Sequence, residues 1–272
     1  MELHLYKDGE ALSQAAAKWI SGRIATTLKT SARFTIALSG GSTPKRLHQI
    51  LAQAPYAVRS YRDAAGVPGT ARDGKATGGT TPTPGGSGEQ IDWSKLHIFW
   101  GDERAVPFED DRNNAKMAYD TLLNFVPVPA AQIHVMRTDI SPGQSAIEYE
   151  KILHQYFDNT PFSFDLVLLG MGDDGHTLSL FPGMPIVHEE KAWAKSFWLP
   201  AQDMSRITLT KTIVNKSAAV AFLTAGPAKT HALKEVLEGA YNPDLYPSQE
   251  IKPSGELHWF VDEAAAADLT KR

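Results

Sequence analysis

Five short runs rich in β-branched and aromatic residues recur along the chain: FTIAL (34–38), LHIFW (96–100), DLVLLG (165–170), AAVAFLT (218–224) and LHWFV (257–261). Between them lie stretches at 10–28, 44–54, 112–124, 143–157 and 228–238 whose apolar residues return every three or four positions. Strand-like runs separated by amphipathic helices predict a mostly parallel sheet, because a parallel pair needs a long crossover and a helix is the usual one. Runs such as Leu166–Leu169 have no polar face, as strands covered on both sides require. The expected fold class is therefore α/β, Rossmann-like, with helices on both faces of the sheet. At 272 residues the chain is long enough to bury a large core without staples, and a single domain over 1–272 is expected.

The composition narrows the chemistry. With no cysteine there is no disulfide, no thiolate nucleophile and no cysteine-based zinc or iron–sulfur site. A formal charge of −4, from 27 Lys and Arg against 31 Asp and Glu, argues against a general nucleic-acid binder. Met1 to Glu10 mixes charges into a short apolar pattern, so no secretory signal is expected there, and no apolar run approaches the length of a membrane span. A cytoplasmic protein with no membrane partner is expected. Residues 66–88, with eight glycines, three prolines and five threonines, hold too little apolar surface to offset ordering and read as a flexible surface insertion.

Open α/β sheets bind ligands at the carboxyl ends of their strands, so the polar residues there are the candidates. After FTIAL, the turn Ser39-Gly40-Gly41-Ser42-Thr43-Pro44 leads into a helix, with Thr43 expected as N-cap and Pro44 as first helical residue. Glycines that allow close approach, free N–H groups and hydroxyls at a helix start suit a phosphate. After LHIFW come Asp102, Glu103 and Arg104, costly to bury unless paired or used. Arg104 suits an anion, and Asp102 a hydroxyl or a partner side chain. A further run, Arg206 to Thr210, and the Gly226-Pro227-Ala228-Lys229 turn supply two more candidate anion ligands, Arg206 and Lys229. A cation at a helix start hints that an anion sits nearby.

After DLVLLG, Gly170, Gly172 and Gly175 formally match the dinucleotide fingerprint, but Pro182 follows too soon for the full helix that fingerprint requires. What remains is a glycine-rich turn presenting His176 beside Asp174. Histidine is the natural general base near neutral pH, and a neighbouring carboxylate fixes its tautomer. His4, His48, His97, His134, His154, His188 and His258 read as structural. No Asp/Glu/His set has a metal-ligating spacing and G-x-S-x-G is absent, so an activated water fits better than a metal or a covalent intermediate.

Taken together, LSGGSTP (38–44), WGDERAVP (100–107), LLGMGDDGHTLSLFPG (168–183), RITLT (206–210) and AGPAKTHAL (225–233) resemble the 6-phosphogluconolactonase family. The resemblance implies a fold similar to glucosamine-6-phosphate deaminases and ribose-5-phosphate isomerases. It implies hydrolysis of 6-phospho-D-glucono-1,5-lactone in the oxidative pentose phosphate pathway, without metal or organic cofactor, by a monomer or homodimer. His176 looks like the base, with Asp174 its carboxylate; Gly40, Gly41, Ser42, Thr43, Asp102, Arg104, Arg206 and Lys229 look like substrate or phosphate contacts. The link over 57–90 is longer than the family's usual one, and Leu178 replaces a commoner small residue, which would tighten the pocket. The alternatives are an aminosugar-phosphate deaminase or isomerase on the same fold, and a sugar-phosphate sensor that binds without turnover.

Overall fold

The computed structural model describes residues 1–57 and 88–270. The body of the 66–88 insertion therefore lies outside the described residues. Six strands form the main sheet: β1 (Glu2–Tyr6), β2 (Phe34–Leu38), β3 (Leu96–Trp100), β5 (Leu166–Leu169), β8 (Ala219–Thr224) and β9 (Glu256–Asp262). Their order across it is β1-β9-β8-β5-β2-β3, and every neighbouring pair is parallel. A second sheet holds β4 (Asp102–Arg104), β6 (Ala194–Leu199) and β7 (Met204–Leu209), antiparallel in the order β4-β7-β6.

The longer helices are α1 (Gly9–Thr27), α2 (Ser42–Leu51), α3 (Asn114–Thr121), α4 (Pro142–Phe157) and α6 (Thr230–Glu238), with a short α5 (Lys211–Val214). Local chemistry explains their starts. The Asp8 side chain accepts from Ala11 N at 2.8 Å at the head of α1, and Ser141 caps α4 ahead of Pro142 in its first turn. The buried stripe of α1, Leu12, Ala16, Ala17, Ile20 and Ile24, has the three-to-four spacing of one helix face.

Side chains alternate across a strand, so the sheet builds two cores. Ile36, Leu38, Ile98, Trp100, Leu166 and Leu168 pack with α1, α2 and α3 on one face. Ala37, Phe99, Val167, Leu169, Val220 and Phe222 pack with α4 and α6 on the other. Burying a Leu or Phe contributes about 1.5–3 kcal/mol, against roughly 0–1 kcal/mol for an exposed ion pair such as Arg112–Asp110, so these cores carry the fold.

The five predicted strands are present. β1 and the antiparallel sheet are additions: the former shows in the sequence only as a short apolar pattern with charges, and the latter breaks the helix–strand alternation. Parallel strands all point their carboxyl ends at one rim. Chain order places β3 on one side of β2 and sends the chain from β5 to β8 on the other, which makes the β2–β5 gap the crevice where such sheets hold ligands.

Candidate active site

The first wall of this crevice is the turn leaving β2. Helix α2 starts at Ser42, with Gly41 as N-cap at φ +103°, and among the described residues no side chain caps it. The expectation of a Thr43 cap and Pro44 at the first helical position is corrected here: Gly41 makes the reversal in a conformation that favours glycine, so the helix begins earlier. The first-turn N–H groups of Ser42 and Thr43 thus lack a side-chain cap, which is the state an anion site requires. Gly40 is held by proximity instead, since a Cβ there would stand 2.0 Å from Asn114 Oδ1.

Asn114 ties this turn to the strand end beside it. Its Oδ1 accepts from Arg104 Nη1 at 2.8 Å, and its Nδ2 donates to the Asp102 carbonyl at 2.9 Å. Arg104 is half-buried, and its Nε is buried with no partner among the described residues, an unusual cost unless something else accepts from it. Next to it Glu103, fully buried, accepts from the backbone N–H groups of Arg104, Asn114 and Ala115 at 2.7–2.8 Å. Burial pushes its carboxyl up to about 7 against the pull of those three donors.

The third wall follows β5. The Asp174 carboxylate accepts from His176 Nδ1 at 2.6 Å and from His176 N at 3.0 Å. An ionised carboxylate has no proton to give, so Nδ1 carries the hydrogen and Nε2 presents its lone pair. Burial, the largest single influence, raises the Asp174 carboxyl, but the side-chain and backbone hydrogen bonds from His176 and the attraction of its ring together hold the group below its ordinary value. The ring keeps 27% exposure and stacks on Phe181 at 4.2 Å between centroids.

Glycine makes this pairing possible. A Cβ on Gly172 would lie 2.1 Å from His176 Nδ1 and 2.4 Å from Asp174 Oδ1, and Gly175 sits at φ +78°. The Gly175 carbonyl is anchored by Ser248 N and Oγ, at 3.0 and 2.8 Å. Leu178 adopts φ +54°, a conformation costing a branched residue about 1–2 kcal/mol. Its side chain is buried in the core, where its Cδ2 lies 2.7 Å from where a Gly101 Cβ would be. The expected tightening of the pocket by Leu178 is thereby replaced by a packing contact with the β3–β4 joint.

Asp102 and Arg206 are placed differently from a pair of free ligands. Asp102 Oδ2 accepts from Arg206 Nη2 at 2.9 Å and from Ser179 Oγ at 2.6 Å. Burial would raise its carboxyl, yet Arg206, Arg104 and Ser179 together hold it below its ordinary value. Arg206 also donates from Nε to Ser179 Oγ at 3.0 Å and from Nη1 to Gln202 Oε1 at 3.1 Å, and its side chain is only 4% exposed. Each of its nitrogens thus has a protein partner, and two of its five N–H groups remain beyond those three bonds. Its guanidinium lies 5.6 Å from the centre of the same Phe181 ring that supports His176.

Lys229 stands at the N-cap position of α6, after a 3-10 turn from Pro227. The protein places one anion of its own at that turn: Gly226 N donates to both oxygens of Asp262 at 3.0 Å. The head of α6 reaches the histidine turn through His231, whose Nε2 is 3.2 Å from Tyr246 Oη; Tyr246 in turn lies against Gly175. A separate cavity of about 410 Å³, lined among others by Phe108, Met136 and Arg137, has none of the predicted site residues in its wall.

The family model described as glucosamine-6-phosphate isomerases/6-phosphogluconolactonase matches residues 7–64 and 75–259. The chain belongs to that family. Among its relatives, the 6-phosphogluconolactonase of Nostoc sp. is 35% identical over 270 residues, covering 97% of this chain and 96% of its own. That of Synechocystis sp. is 34% identical over 266 residues, covering 96% and 95%. The crystal structure of a devB protein aligns at a TM-score of 0.78 and 25% identity, over 98% of this chain and 99% of the other.

Within that family fold, three residues bind the site together without having been named from sequence, Asn114, Ser179 and Phe181, and Glu103, named only as one of three charges costly to bury, joins them. Ser179 and Phe181 fall inside the block 168–183, so the signal was present but lacked a partner to give it meaning. Asn114 follows the cap Asn113, whose side chain accepts from Lys116 N at 2.8 Å, and reads locally as an ordinary helix start.

Proposed function

We propose that the chain hydrolyses 6-phospho-D-glucono-1,5-lactone to 6-phospho-D-gluconate, the second step of the oxidative pentose phosphate pathway, with His176 as general base. The observation that carries this reading is the Asp174–His176 pair, joined at 2.6 Å and partly exposed at the carboxyl end of β5. The names of the relatives support the same substrate.

The 6-phosphate docks on the Gly40–Thr43 turn, where uncapped N–H groups and hydroxyls meet an anion, with Arg104 and Lys229 as its cations. Binding energy from this remote group holds the lactone C1 near His176. Nε2 takes a proton from water as the water oxygen attacks C1, and Asp174 stabilises the imidazolium that forms. Arg104, with a donor to spare, or a backbone N–H of the glycine turn faces the developing oxyanion. The bond from C1 to the ring oxygen then breaks, that oxygen takes the proton back from His176, and the new carboxylic acid ionises. Asp102 and Arg206 position the turn through Ser179.

Proton release from freshly prepared lactone, measured above the spontaneous background, tests the activity. His176→Ala lowers kcat by roughly two to four decades with the fold retained; unchanged turnover refutes the assignment. The family's name also covers glucosamine-6-phosphate isomerases. A coupled ammonia assay on glucosamine 6-phosphate separates the two, and release at rates comparable with lactone hydrolysis would favour the deaminase.

A further inference from the structure

At the opposite edge of the sheet, β1 pairs with β9 in the register Glu2↔His258 and His4↔Phe260. Glu2 and His4, two residues apart on one strand, therefore share a face with His258 on its neighbour. Three potential donor atoms meet there. His4 Nε2 is 3.1 Å from His258 Nδ1 and 3.7 Å from Glu2 Oε2, and His258 Nδ1 is 3.5 Å from Glu2 Oε2. Bonds of about 2.0–2.1 Å at tetrahedral angles place neighbouring ligand atoms roughly 3.3 Å apart, so the triangle is already the size of one face of a zinc tetrahedron.

We propose that Glu2, His4 and His258 form a binding site for a divalent transition ion, zinc by its donor set, that clasps the edge strand β1 to β9. The surroundings suit a ligand shell. His258 is 4% exposed, and its other nitrogen, Nε2, lies 3.0 Å from Glu256 Oε2, which is itself 2.7 Å from Arg23 Nη1. A carboxylate accepting from the far nitrogen fixes the tautomer that leaves Nδ1 free to ligate. Trp19 and Phe260 hold the two rings, at 4.7 Å from His258 and from His4 respectively. Glu2 is exposed, which leaves the fourth position to water. Two imidazoles and one carboxylate with an open position is a zinc donor set of the catalytic kind, but here it lies three strands from β2 and acts on the fold. The sequence offered no metal spacing because the third donor arrives from 254 residues away. The inference thus departs from the expectation that the chain has no metal site, and it stands independently of the lactonase reading.

The full chain without a polyhistidine tag, stripped with EDTA, is titrated with zinc chloride and with cobalt chloride. One zinc per chain is expected, with the visible absorption of tetrahedral cobalt and a rise in melting temperature of roughly 5–10 °C at a hundred times Kd. Glu2→Gln and His4→Asn, both at accessible side chains, weaken binding by tenfold or more and cut that rise by about half or more at the same zinc concentration, while lactone turnover without metal stays as in the parent. Zinc binding of equal affinity in both variants, which would mark an adventitious site elsewhere, overturns the proposal. So does octahedral cobalt alone, or no binding below millimolar zinc, in which case the 3.1 Å contact is a simple hydrogen bond between imidazoles.

Discussion

Glu103 shows how one buried residue ties the site to solution conditions. Its folded carboxyl titrates near 7, above its value of 4.5 in the absence of the fold, because burial disfavours the charge more than three backbone donors favour it. The folded state therefore holds more protons than the unfolded one between those values. The stabilisation is complete below about pH 4.5 and is lost as pH rises through 7. The effect is of order 3 kcal/mol at most, at about 1.4 kcal/mol for each pH step separating the folded and unfolded values. Urea denaturation of the parent and of Glu103→Gln across pH 4.5–8 should show the parent losing ground over that window. A constant difference would mean that Glu103 stays ionised throughout. The pairing of His176 with Asp174 was legible because it is local; the burial of Glu103 was not, because a charged residue in a D-E-R run gives no local sign of which member turns inward.

At the level of elements, the turns matter more than the helices and strands they join. Gly172 leaves just enough room for the His176 ring to fold onto Asp174, so Gly172→Ala drives a methyl into both. Turnover should fall by at least tenfold with little change in melting temperature, because the turn is exposed at Asp173 and Asp174 and the core beneath need not move. Equal loss in stability and activity would show instead that the turn is part of the core. Five of the six parallel strands were readable from short runs rich in β-branched and aromatic residues. β6 was not, since Ala194–Leu199 mixes exposed Lys195 and Trp198 with buried ends, and β4 is only three residues long. The head of α2 was misplaced for a related reason: serine, threonine and proline are good local start signals, but a glycine at positive φ made the turn before them.

The molecule as a whole is held at the crevice by the Asp102–Arg206 pair, which joins β4 to β7 and, through Ser179, to the histidine turn. Asp102→Ala leaves a buried guanidinium without its counter-charge, a loss of about 3–5 kcal/mol measurable by chemical denaturation. Adding Arg206→Met should recover part of that stability while activity stays low, since Ser179 loses both partners. If the double variant is no more stable than the single one, the pair does not brace the fold. These long-range pairings could not be read in sequence, where 104 residues separate the partners.

A different consequence follows from Tyr56. Its carbonyl accepts from Ile91 N and from Trp93 Nε1, both at 3.1 Å, so the backbone departs from and returns to a single anchor on either side of 58–87. Closing a longer excursion between fixed, adjacent ends costs only about 0.6 kcal/mol per doubling of its length. That anchor is thus a natural port: a fluorescent reporter or an entire foreign domain could be spliced in there while the sheet and its catalytic rim keep their places.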